Sequence, residues 1–105
     1  MLKRLAVTGF ICLACVSAQA QEFTVDQTNK HFSVSTLTVK TGDQIRFFNN
    51  DPFFHNIFSL SDTKTFDLGS YPKGQSRSVT FTNPGTVEIE CAIHPDMKLT
   101  VEVVK

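Results

Sequence analysis

No stretch of this sequence is apolar for long enough to cross a bilayer as a helix. The longest run, Leu5 to Val16, has 12 residues, where about 20 are needed. Lys3 and Arg4 precede it and Ala18-Gln19-Ala20 follows. A basic start, an apolar middle and a small-residue end are the parts of a cleavable secretory leader. Cleavage after Ala20 divides the chain into a leader, 1–20, and one mature domain, 21–105, expected to be soluble and periplasmic. A lipoprotein is the competing reading, with Cys15 lipidated after cleavage at Ala14. There Cys12 stands where an aliphatic residue is usual, and only about nine apolar residues remain, near the floor for a leader. Cleavage at Ala20 is preferred.

Positive charge is also scarce. Removing Lys3 and Arg4 leaves eight basic against ten acidic residues, which excludes the basic stripe of a nucleic-acid binder. Cysteine is scarcer still, since of Cys12, Cys15 and Cys91 only Cys91 survives the leader. No internal disulfide is then available, although small exported domains commonly depend on them. A lone thiol in an oxidising compartment calls for an occupant, and a metal ion is one. Tryptophan is absent, so the nine mature phenylalanines are expected to supply the core.

Helical periodicity is missing from the mature chain, and short alternating runs separated by turn residues take its place. Phe23 and Val25 alternate, then Phe32 and Val34, then Leu37 and Val39 on the opposite parity, which predicts one strand bent at Ser35-Thr36. Further strands are expected at Ile45–Asn49, His55–Leu60, Ser76–Thr82 and Leu99–Val104. A short one is placed at Thr65-Phe66, and a loop through Tyr71-Pro72-Lys73-Gly74. Val87, Ile89 and Cys91 share one face of another strand and Glu88 and Glu90 the other. The reading is all-β: a Greek-key β-sandwich of about seven or eight short strands.

That parity turns the Cys91 sulfur inward at the end of its strand. The spacing Cys91-x2-His94-x2-Met97 puts a thiol, an imidazole and a thioether in one short loop, and Phe53-Phe54-His55-Asn56 offers a second imidazole. Two His, one Cys and a weaker Met suit electron-transferring copper. Zinc rarely takes a thioether, and calcium and magnesium need oxygens. Each residue has a plainer alternative: Cys91 as a buried thiol, His94 as a turn residue, Met97 as core filler, His55 as structural. His31 has no partner motif and reads as a surface residue. Glu88, Glu90 and Asp96 read as a solvated face that could steer a basic partner.

On these residues the chain resembles the cupredoxins, the type 1 or blue copper proteins, and within them the small amicyanin- and plastocyanin-like members. The Cys-x2-His-x2-Met loop matches the short ligand loop of the amicyanin-like members, and Asn50-Asp51-Pro52-Phe53-Phe54-His55-Asn56 resembles the first-ligand region. Ile93 stands where a Pro is usual before the second His, with Pro95 after it. The resemblance implies that His55 and His94 bind copper through ring nitrogens, Cys91 as thiolate and Met97 as a weak axial ligand. It implies also that Asn56 ties the two ligand loops together by hydrogen bonds near the Cys.

The expected function is that of a mobile one-electron carrier, not an enzyme. It holds one copper ion, acts as a monomer and meets a redox donor and acceptor transiently. Pro52, Phe53 and Pro95 are expected to form an apolar docking rim around the His94 edge. A copper-delivery protein is the alternative, weakened by the single mature Met. A Cys–His hydrolase comes third, because an inward Cys at a strand end suits a metal better than a substrate.

Overall fold

The inward set Val87, Ile89 and Cys91 is buried to 2% exposure or less, while Glu88 on the opposite face is exposed. This alternation recurs along the chain in a computed structural model that describes residues 19–105. The strands are β1 (Glu22–Thr28), β2 (His31–Phe32), β3 (Thr36–Lys40), β4 (Gln44–Asn49), β5 (His55–Ser59), β6 (Phe66–Tyr71), β7 (Ser76–Thr80), β8 (Gly85–Cys91) and β9 (Lys98–Val104). The leader expected at 1–20, with Cys12 and Cys15, lies outside the described residues except for its last two positions. Among the described residues no helix is long and apolar enough to cross a membrane.

Two sheets form the sandwich, one in the order β2-β1-β4-β7 and the other β3-β9-β8-β5-β6. The β1/β4 and β3/β9 pairs are parallel and the rest antiparallel. Val25, Ile45, Phe47 and Val79 of the first sheet and Val39, Ile57, Val87, Ile89, Leu99, Val101 and Val103 of the second make the core. Truncating Ile45, Ile57, Ile89, Leu99 or Phe47 to Ala is expected to cost about 2–5 kcal/mol. Among the described residues nine strands are present rather than seven or eight. The bent strand expected through Ser35-Thr36 is two strands in two different sheets, β2 pairing with β1 and β3 with β9. The change of parity is thus a change of sheet.

The core uses fewer phenylalanines than expected. Phe32, Phe47 and Phe81 are buried, whereas Phe54 is 52% exposed. Tyr71 corrects the sequence reading more sharply, for it ends β6 fully buried instead of lying in a loop. Between the pairs Asn56↔Ser70 and Phe58↔Asp67, β6 spends one residue more than β5. Gly69, at φ 75°, sits in this bulge, and the extra residue moves Tyr71 onto the core face that Phe66 and Leu68 occupy. The Tyr71 hydroxyl donates to Gln27 Oε1 at 2.6 Å. Burial pushes the phenol well above its usual range, against the pull of the nearby Arg77 charge and the Gln27 hydrogen bond.

Candidate metal centre

His55 is the first inward position of β5 and Cys91 the last of β8. These strands are antiparallel neighbours with Ile57 opposite Cys91, so both side chains reach the same end of the core. The loop that follows β8 brings His94 back over them. Cys91 Sγ lies 3.6 Å from His55 Nδ1 and 3.7 Å from His94 Nδ1. One ligand atom from each of the three falls within 4.8 Å of the others. Donors about 2.0–2.3 Å from one ion at trigonal angles stand roughly 3.8 Å apart, so the group has the dimensions of a metal-binding plane. His55 and Cys91 are buried and His94 is partly exposed. Met97 is 1% exposed, and its N–H donates to the His94 carbonyl at 3.0 Å. The tight turn brings Met97 back near the three-residue group.

Backbone bonds lock the two ligand segments together. The Asn56 N–H points at Cys91 Sγ over 3.4 Å, and the Asn56 carbonyl accepts the Ala92 N–H at 2.9 Å. The tie expected of Asn56 is therefore made by its main chain. Its side-chain Oδ1 is buried without a hydrogen-bond partner among the described residues.

Phe53, expected only at the rim, packs its ring 5.4 Å from His55 and 5.2 Å from His94, centre to centre. Pro52 and Pro95 are exposed, and Ile93 and Phe54, near them in sequence, are each about half exposed. His31 is exposed too. Burial holds His94 below the ordinary imidazole range, and the charges of His55 and Lys30 push the same way while Asp51 opposes them. The neutral, metal-ready ring is favoured accordingly.

Sequence reasoning placed Asp51 in the first-ligand stretch but gave it no role of its own. Its carboxylate is buried, and Oδ2 lies 2.7 Å from His55 Nε2. The Asn29 N–H donates to Oδ1 at 2.6 Å and the Lys30 N–H to Oδ2 at 3.0 Å. Burial alone would raise this carboxyl, but hydrogen bonds from Lys30, His55 and Asn29 outweigh it and hold the group below its usual range. An aspartate four residues before His55 was the available signal.

The model of copper-binding proteins of the plastocyanin/azurin family matches residues 19–104. The chain belongs to that family. This cupredoxin is 30% identical over 82 residues to amicyanin of Paracoccus denitrificans, a match covering 75% of the chain and 63% of that protein. Among solved structures, a reduced Cu(I) form of an amicyanin variant superposes with a TM-score of 0.72 at 28% identity, covering 78% of this chain and 81% of that one. The copper-containing nitrite reductase of Thermus scotoductus SA-01 gives 0.74 at 25% identity, covering 80% of this chain but only 22% of the enzyme. Copper is the metal of the family, and a buried cysteine sulfur, two imidazole Nδ1 atoms and a thioether are a donor set that suits it.

Proposed function

We propose that this cupredoxin is an exported one-electron carrier whose copper ligands are His55, Cys91, His94 and Met97. The observation that supports it best is the convergence of the Cys91 sulfur and both Nδ1 atoms on strands and turns already joined by hydrogen bonds. Bound copper supplies a Cu(I)/Cu(II) couple there. Cys91, His55 and His94 would hold the ion most strongly, and Met97 would be the weaker ligand that sets its potential. Because β5, β8 and the Asn56–Ala92 bond hold these side chains, little rearrangement accompanies a change of charge. Core packing around Cys91 and Met97 excludes water and oxidants.

The partly exposed His94 is the expected electron port. Pro52, Phe53 and Pro95, with Ile93 and Phe54, form an apolar rim that suits brief contact with a redox protein. A delivery protein fits less well, since His55, Cys91 and Met97 are almost wholly buried. For export, the Gln21 N–H lies 2.9 Å from Asp43 Oδ1 and β1 starts at Glu22. A chain cut after Ala20 would start one residue before β1, and intact mass of native protein checks the cut. Anaerobic redox titration tests the carrier reading: one reversible electron per chain with copper retained supports it, and copper release on reduction favours delivery.

A further inference from the structure

Asp51 joins two parts of the molecule that are distant in sequence. On one side it receives successive N–H groups from Asn29 and Lys30, the tip of the β1–β2 turn. Both residues adopt left-handed φ, 54° and 62°, a conformation that non-glycine residues keep only where their surroundings impose it. On the other side Oδ2 meets His55 Nε2. The Asn49 side chain fixes the carboxylate's own backbone, its Oδ1 accepting the Asp51 N–H at 2.8 Å while Nδ2 donates to the Phe53 and Tyr71 carbonyls. Each carboxylate oxygen is thus aimed by donors outside the metal loop.

We propose that Asp51 is a positioning and charge-setting residue of the copper centre, using the β1–β2 turn as its anchor. Its carboxylate accepts the Nε2–H of His55, which leaves Nδ1 bare and turned toward Cys91. A full negative charge on the far side of a ligand ring makes that ring a stronger donor. It favours the more highly charged Cu(II) over Cu(I), and so lowers the reduction potential. The Asn29–Lys30 turn, which supplies none of the proposed ligands, becomes part of the machinery that sets the potential. This inference rests on the copper-carrier reading. A wild-type protein without thiolate colour would sink that reading, whereas the test of Asp51 compares two coloured proteins.

Asp51→Asn keeps the shape and removes the charge. Competition titrations with Cu(II) and Cu(I) chelators should show Cu(II) binding weakened about 10–100-fold and Cu(I) binding much less affected, with the potential rising accordingly. Asp51→Glu restores the charge and should recover part of the Cu(II) preference. A purely structural role predicts equal losses for both ions and an unmoved potential, and that result overturns the proposal. Should Asp51→Asn fail to fold, nitrogen NMR of the metal-free wild type gives a second reading. His55 protonated at Nε2 and bare at Nδ1 is the expected tautomer, and the opposite one overturns the proposal.

Discussion

Two buried aspartates flank β4, and the molecule uses them differently. Asp43 lies just before the strand, where its Oδ1 accepts the Gln21 N–H and its Oδ2 the Lys40 N–H at 2.9 and 2.8 Å. Asp51 lies just after the strand and likewise receives one backbone N–H on each oxygen. Both are nearly inaccessible, at 4% and 3% exposure. A carboxylate can be buried where backbone donors replace its water, and at the Asp43 end the device only joins chain segments. At the Asp51 end one more partner is added, the imidazole of His55. The same element of architecture serves connection at one end and chemistry at the other.

The contrast breaks most completely when the metal end loses its sulfur. Cys91→Ser should abolish the thiolate-to-copper colour outright, because Cys91 is the sole cysteine among the described residues. The absorption spectrum of the copper-loaded variant checks this. Next in size is the paired substitution of the two aspartates. Asp43→Asn and Asp51→Asn should each destabilise the metal-free protein by about 1–3 kcal/mol, since an amide turns a donor toward a backbone N–H. Only Asp51→Asn should move the potential. Chemical denaturation and redox titration of both variants give the four values needed, and a shift at Asp43 would dissolve the distinction.

Smaller effects sharpen the picture within the metal end. Met97→Gln should keep the colour and lower the potential, because a harder oxygen donor favours Cu(II). An unchanged potential would make Met97 core filler. Pro95→Glu, on the exposed rim, should slow bimolecular electron transfer by on the order of ten-fold with colour and potential retained. Stopped-flow rates with the native partner, compared at matched potential, decide it. The smallest effect is alkaline. The Tyr71 phenol has a raised pKa in the folded protein, so its contribution to stability is whole below the unfolded value near 10. It falls as pH climbs above that value toward the folded one. Denaturation midpoints should therefore drop above pH about 10, and Tyr71→Phe should flatten that slope. Tyr71 is the only tyrosine, so its tyrosinate absorbance reports the titration directly.

Much of this was legible in the sequence, for identifiable reasons. Alternation through Val87, Ile89 and Cys91 fixes an inward sulfur at a strand end, and the Cys91-x2-His94-x2-Met97 spacing puts the other donors within one turn of it. Other features depend on contacts that spacing does not encode. Asp51 reaches His55 locally, but the donors that aim it come from Asn29 and Lys30, over twenty residues earlier. The tie between the ligand loops runs through the main chain of Asn56, which any residue possesses. Tyr71 was misplaced because a bulge shifts its parity, and the split of β2 from β3 is decided by which neighbours are free to pair.

The most direct test of the account is the visible spectrum of copper-loaded protein, recorded oxidised and after one-electron reduction. Ligation by Cys91 with His55 and His94 predicts an intense Cu(II)–thiolate band that vanishes on reduction and returns in full on reoxidation. A pale protein, showing copper bound without that band, would contradict it.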